Sequence, residues 1–399
     1  MAREMDFVDE CYADKNLSLL KKLTLVIPTY NRNYYLSRCL WYHAHFPFGQ
    51  IIVADSSPEE KKVVNRETVA KVREIFGADI LYLEYEPDTD KYGGEIYLKW
   101  GDAIQHIGTE YSLICTDKEF VIPNDTIRGI DYLSKHPKYC TAMGQGAFVT
   151  KEKIFNRFIA IVDAKPYAYT QDAGIDRIDA CAIDKKMLGS LLTLYRSEDH
   201  KKIYTTLRLH NLDDLRYGET ALELIPLMQG KIRRWAEIGK VRDTSMLQKG
   251  VFGSKQLNES STARYPQLTL YPKKRNETYF NKLIACIVEL ENNSATISSA
   301  KLSKSLSEIF TWWMGGSNHH TQTINERNKL FGIIWYHLPY ELKYYLSHMF
   351  GNGLVVSNKI LSHTKDEVNL ILKIIRETIH SYHDDKIISF LSNDMDKNI

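Results

Sequence analysis

Two carboxylates stand two positions apart where an apolar run stops: Ser112-Leu113-Ile114-Cys115-Thr116 is followed by Asp117, Lys118, Glu119 and Phe120. If the backbone stays extended there, side chains alternate faces, so Asp117 and Glu119 point one way and Lys118 the other. Paired carboxylates at the carboxyl end of a buried strand offer the hard oxygen donors that Mg2+ or Mn2+ takes, beside a bound phosphate. An Asp-x-Glu triplet alone is also a common surface-turn sequence. Its weight comes from its place among the elements before it.

Those elements alternate. Leu23-Thr24-Leu25-Val26-Ile27 is a short β-branched and apolar run closed by Pro28, which reads as a buried parallel strand. Apolar spacing at Tyr35, Leu36, Cys39, Leu40 and Ala44 predicts a helix over 31–46. Gln50 to Ala54 is a second strand, ending in Asp55-Ser56-Ser57-Pro58. A helix over 60–76 stops at Gly77, and Ile80 to Tyr85 is a third strand. A helix over 95–107 and a strand over 111–115 lead into Asp117. The pattern predicts an α/β fold with a doubly wound, mostly parallel sheet flanked by helices. Ligands bind such sheets outside the carboxyl ends of the strands. Pro28-Thr29-Tyr30, Asp55 and Asp117-Glu119 all fall at those ends. Asp55 also has a purely structural reading, because Asp-Ser-Ser-Pro is strong helix-capping chemistry.

Further along, the pattern weakens from about Gly144 to Ala180. A helix is expected over 215–235, with Pro226 marking a kink or break. Residues 257–275 are polar and contain proline, as a linker does. Helices are expected over 279–290, 301–313, 324–349 and 362–380. The chain therefore divides into an α/β domain over 1–253 and a mainly helical region over 254–399. His319-His320 lies near Trp312-Trp313, but adjacent histidines diverge on a helix, so joint metal ligation is poor geometry and the tryptophans read as packing residues.

Composition sets bounds. The 399 residues carry a net charge of +2, which gives no broad basic face for nucleic acid. No apolar run approaches a membrane span, and the charged N-terminus lacks a signal-peptide core. The six cysteines are scattered without a C-x-x-C pair, which argues against a zinc knuckle or a disulfide scaffold. A cytoplasmic location is the expectation.

With these residues in place, the first 250 or so resemble a family 2 glycosyltransferase of the GT-A fold, from the bacterial subgroup linked to surface polysaccharide. Leu25-Val26-Ile27-Pro28-Thr29-Tyr30-Asn31-Arg32 resembles that family's first strand and loop. Val53-Ala54-Asp55-Ser56-Ser57 resembles its second. Cys115 to Pro123 resembles its D-D-D-F metal segment, with Lys118 in place of the middle aspartate and Glu119 in place of the last. The resemblance implies an inverting, metal-dependent transfer from a nucleotide-sugar donor to a carbohydrate or glycolipid acceptor. Asp117 and Glu119 would hold Mn2+ or Mg2+ against the departing diphosphate. Pro28, Thr29, Tyr30, Arg32 and Asp55 would bind the nucleotide, Lys99 would pair with a phosphate, and Arg242 would contact the diphosphate. Glu219, in Tyr217-Gly218-Glu219-Thr220, would be the carboxylate base, with Asp213 and Asp214 as neighbouring competitors. A glycolipid acceptor would bring the protein to a membrane periphery, and the C-terminal helices offer a face for a homo-oligomer. Two other classes fit parts of the pattern. One is nucleotidyl transfer, although Pro-Thr-Tyr-Asn-Arg stands where a glycine-rich loop is needed. The other is a non-catalytic scaffold whose metal triplet has decayed.

Overall fold

The structure is a computed structural model describing residues 17–87, 95–152, 157–162, 166–184, 192–212, 215–243, 273–290, 302–309, 371 and 374–375. Leu23–Thr29 (β1), Gln50–Asp55 (β2), Ile80–Glu84 (β3) and Tyr111–Ile114 (β4) lie parallel in the order β3-β2-β1-β4. Between them run helices Asn33–Ala44 (α1), Glu59–Phe76 (α2) and Glu95–Gln105 (α3). Gly77 ends α2 at φ 63, a left-handed cap that glycine takes without strain.

The strands read as unbroken apolar runs because both faces are covered. Leu25, Ile27, Ile51, Val53 and Leu113 enter one core with Leu36, Cys39 and Leu40 of α1. Val26, Ile52, Ala54 and Ile114 enter a second core with Trp100 and Ala103 of α3. Each fully buried Val, Leu or Ile contributes about 1.5–3 kcal/mol against exposure. The alternation also aligns the strand ends, with Thr29 opposite Asp55 in the register of β1 and β2.

Past β4 the sheet is mixed. Glu119–Val121 (β5), Pro123–Lys135 (α4), Tyr139–Glu152 (β6), Arg157–Val162 (β7), Tyr167–Tyr169 (β8) and Gly174–Asp184 (α5) come next. Leu194–Arg196 (β9), Ser197–Leu209 (α6), Leu215–Gln229 (α7) and Lys231–Asp243 (β10) complete the sequence up to residue 243. β9 is antiparallel to both β4 and β6 and so joins the two halves. β10 runs parallel to β6 and antiparallel to β5 and β8. The full order is β3-β2-β1-β4-β9-β6-β10-β5, with β7 on β6 and β8 on β10.

Past β4, several expectations change. The helix expected over 215–235 ends at Gln229; Gly230 turns the chain and β10 begins at Lys231, paired with β6 and β8. Pro226 does not break that helix, and its carbonyl accepts the Gly230 N–H at 3.1 Å. The weakly patterned stretch from 144 to 180 holds the end of β6, then β7, β8 and the start of α5.

In the C-terminal region, Lys273–Glu289 (α8) starts within the expected linker, and residues 302–309 are helical. Leu283, Cys286, Ile287, Leu302, Leu306 and Ile309 join the same core as Leu224 and Ile225 of α7. Tyr279 stacks on Tyr217 with ring centroids 5.6 Å apart. The expected domain boundary near 253, the histidine pair, the tryptophan pair, Asp213 and Asp214 lie outside the described residues. Among the described residues, no helix is long and apolar enough to cross a membrane.

His200 of α6 packs against the seam where β9 joins β4, stacked on Tyr195 and bonded through Nδ1 to Ser112 Oγ at 2.9 Å. Burial pushes its pKa down to about 3 from the usual 6.5. The folded state therefore favours neutral imidazole, and its stability contribution is complete above about pH 6.5 and lost progressively as pH falls toward 3. By about pH 5 the loss from this residue alone is about 2 kcal/mol. Urea unfolding of wild type and His200→Gln near pH 7.5 and near pH 5 checks this; the wild type should lose about 2 kcal/mol more than the variant between the two.

Candidate functional site

The carboxyl edge of β1, β2 and β4 is a bonded cluster organised by Thr29. Thr29 is 2% exposed. Its hydroxyl donates to Asp117 Oδ2 at 2.9 Å, and its carbonyl accepts from Lys99 Nζ at 3.2 Å and from the Ser56 N–H at 3.3 Å. Lys99 also donates to Ser56 Oγ at 2.8 Å. The loop turns sharply after Tyr30: Asn31 takes φ 53, and its N–H donates to Ser57 Oγ at 2.8 Å. That conformation suits asparagine better than most residues. Arg32 then reaches back, its guanidinium donating to Asp117 Oδ1 at 3.3 Å. Thr29, Arg32, Lys99 and Asp117, each singled out from sequence, are thus linked by direct hydrogen bonds. Pro28 lies within β1 opposite Ala54, and Tyr30 stands partly exposed on the loop.

Asp55 is fully buried and heavily engaged. Its carboxylate accepts from the Ser57 N–H at 2.7 Å, Asn65 Nδ2 at 2.6 Å and the Tyr82 hydroxyl at 2.5 Å. Asp55 does not cap α2, whose N-cap is Pro58 without a side-chain cap bond; its carboxylate instead closes an Asx turn on the Ser57 N–H and shapes the 55–58 loop from inside. Lys99 is similar, with 1% exposure and an ammonium that ties β1 to β2.

The extended backbone expected through Asp117 is not present. β4 ends at Ile114, and the Glu119 N–H donates to the Thr116 carbonyl at 2.8 Å, closing a turn over Thr116–Glu119. Glu119 returns the bond, its Oε2 accepting the Thr116 N–H at 3.0 Å. Alternation of faces does not apply in a turn, and the two carboxylates acquire separate partners. Glu119 Oε1 lies 3.9 Å from Lys240 Nζ and 3.9 Å from Arg242 Nε. Lys240 is pinned by donation to the Leu192 carbonyl at 2.7 Å. Lys118 packs its ammonium over the Tyr35 ring at 4.8 Å. Burial pulls the pKa of both lysines down to about 8.

Beneath the turn sits a buried ion pair that sequence reasoning did not isolate. Arg38 Nη2 donates to Asp243 Oδ2 at 2.7 Å, with both side chains fully buried. The Asp243 N–H in turn donates to the Lys118 carbonyl at 2.8 Å. An arginine in the mostly apolar and aromatic stretch Tyr34 to Ala44, which also holds Ser37 and His43, was the available signal. Lys240 gave none, because an alternating basic residue in a strand usually faces solvent.

Chelation of Mn2+ or Mg2+ by Asp117 and Glu119 does not fit these contacts. Every oxygen of the two carboxylates already faces a protein donor or cation, and no partner is shared between them. The one group of three or more potential ligands found among the described residues is Cys39, His43 and Cys115, all buried. It is a hydrogen-bonded hub. His43 Nδ1 donates to the Cys39 carbonyl at 2.8 Å, its Nε2 accepts the Val121 N–H at 3.1 Å, and the Cys115 thiol donates to the Glu119 carbonyl at 3.2 Å. The buried cysteines thus support the turn from below as small core residues.

Glu219 lies one turn into α7 and is partly exposed. A side chain at Gly218 would meet the Tyr97 ring at 2.5 Å, so the glycine lets α7 close on α3, which carries Lys99. The contact between α7 and α3 is what relates the helix of Glu219 to that of Lys99.

Compared by sequence, the chain matches no protein-family model and no curated protein. Among solved structures it is similar to S. aureus TarS 1-349, at 14% identity over 92% of this chain and 88% of that one, TM-score 0.43. The same protein in complex with UDP-GlcNAc matches at 13% identity, again over 92% and 88%, TM-score 0.42. At such identities and TM-scores these likenesses leave the chemistry of this chain to its own residues.

Removing the Arg38 side chain would strand a buried carboxylate. Arg38→Met is expected to cost about 3–5 kcal/mol of stability, and the double change Arg38→Met with Asp243→Leu to recover most of it. Equilibrium urea unfolding of the two variants checks this.

Proposed function

We propose that this chain is a glycosyltransferase that moves a sugar from a nucleotide-sugar donor to a carbohydrate or glycolipid acceptor. One observation carries the reading: the loop after β1, the loop after β2 and the turn after β4 are bonded into a single edge through Thr29, at the end of the sheet where α/β folds bind nucleotides. The sequence resemblance to family 2 transferases of surface polysaccharide rests on the same three segments.

In this reading Pro28, Thr29 and Tyr30 frame the base and ribose, with Asp55 holding the neighbouring loop in shape. Arg32 and Arg242, whose side chains are 39% and 42% exposed, face the diphosphate. The chemistry asked of the protein is to lower the charge on the leaving diphosphate and to take a proton from the acceptor hydroxyl. Glu219 is the base, which implies direct displacement with inversion at the anomeric carbon.

A panel of nucleotide sugars, assayed for release of nucleoside diphosphate with and without acceptor oligosaccharides, tests the class. Glu219→Gln should lower turnover by about 10²-fold or more while donor affinity stays within about twofold. Failure of every nucleotide sugar to bind or turn over would leave a non-catalytic scaffold and end the proposal.

A further inference from the structure

We infer that this site neutralises a nucleoside diphosphate with its own arginines and lysines and without a divalent cation; the inference rests on the glycosyltransferase reading above. The evidence is the distribution of charge around the 116–119 turn. Three carboxylates, Asp117, Glu119 and Asp243, meet five cations: Arg32, Arg38, Lys118, Lys240 and Arg242. Arg38 and Asp243 cancel each other in a buried pair. What remains is two carboxylates against four cations.

The placement matters more than the tally. Lys240 holds a positive charge 3.9 Å from Glu119 Oε1, and the Leu192 carbonyl fixes its ammonium there at 2.7 Å. Its side chain is only 12% exposed. Glu119 Oε2 accepts the Thr116 N–H at 3.0 Å. Asp117, 1% exposed, already pairs with the Arg32 guanidinium and accepts from the Thr29 hydroxyl. The carboxylates therefore anchor guanidinium groups, and Arg32 and Arg242 keep the exposure needed to reach a ligand. A guanidinium pairs with phosphate oxygens through two parallel N–H donors, which suits the role.

Calorimetric titration of the full-length protein with UDP, GDP, CDP and dTDP, in EDTA and again in Mn2+, tests the inference. At least one nucleotide should bind with dissociation constants in the two buffers that agree within about threefold. Arg32→Ala and Arg242→Ala should each weaken binding in EDTA by about tenfold or more, measured at a temperature where circular dichroism shows both variants folded. Electron paramagnetic resonance of Mn2+ added to the nucleotide-free protein should show no stoichiometric site. Binding lost in EDTA and restored by Mn2+, or a Mn2+ signal abolished by Asp117→Ala, would overturn the inference and leave the glycosyltransferase reading standing. Wild-type affinity in both arginine variants would also overturn it. No binding of any nucleotide in either buffer would instead defeat the glycosyltransferase reading on which it rests.

Discussion

The carbonyl of Thr29 is the point on which the site depends. A strand that ends inside a protein leaves a backbone acceptor with no ladder partner, and burying it unsatisfied is costly. Here that acceptor receives a buried ammonium from Lys99 and the Ser56 N–H, while the hydroxyl of the same residue holds Asp117. One residue thereby joins β1, β2, α3 and the turn after β4. Lys99 gains as well, since a buried ammonium is tolerated only where oxygen acceptors meet its protons. The register that sets Thr29 opposite Asp55 places both loops at one height, so the edge follows directly from parallel pairing.

A second constraint works from the opposite side of the turn. β10 returns antiparallel to β5, pairing Arg242 with Glu119 and Lys240 with Val121. The strand ends in Asp243, whose N–H fixes the Lys118 carbonyl and whose carboxylate meets Arg38. Such a buried pair adds little net stability over an apolar replacement, because desolvation consumes most of the attraction. Its effect is positional: with both charges fully buried, sliding β10 by one residue would leave Arg38 unpaired. The network trades stability for a fixed location of two arginines and a lysine near the same pair of carboxylates.

The parallel half of the sheet was legible because each strand is covered on both faces and each helix shows its own apolar spacing. β1 and β2 fall within a residue or two of their expected ends, and Gly77 stops α2 where expected. The strand order placed Thr29 and Asp117 at one edge, while Arg32 and Lys99 were named only by the family resemblance. What could not be read was conformation finer than the strand. Asp117 and Glu119 were expected to share a face on the assumption of extended backbone, and the 116–119 turn removes the assumption. β6 and β10 escaped notice because their buried positions include Gly144, Gln145 and Arg234, which no alternation of apolar residues reveals. Their close approach depends on glycine: a side chain at Gly144 would lie 2.3 Å from the Glu237 carbonyl oxygen.

The Asp-Lys-Glu triplet has a physical logic of its own in this turn. Thr116 and Glu119 exchange two bonds, backbone N–H to carbonyl one way and backbone N–H to side-chain oxygen the other. The same reciprocity closes the capping box at helix starts, where glutamate rather than aspartate has the reach to fold back three residues. A glutamate at position 119 is therefore matched to bonding its own turn. Lys118, turned onto Tyr35, supplies a cation beside Asp117 instead of a further carboxylate. Both departures from an all-aspartate segment act in one direction. They replace free acidic oxygens with engaged ones and add positive charge, which is the change a site must make if its own side chains are to hold a diphosphate.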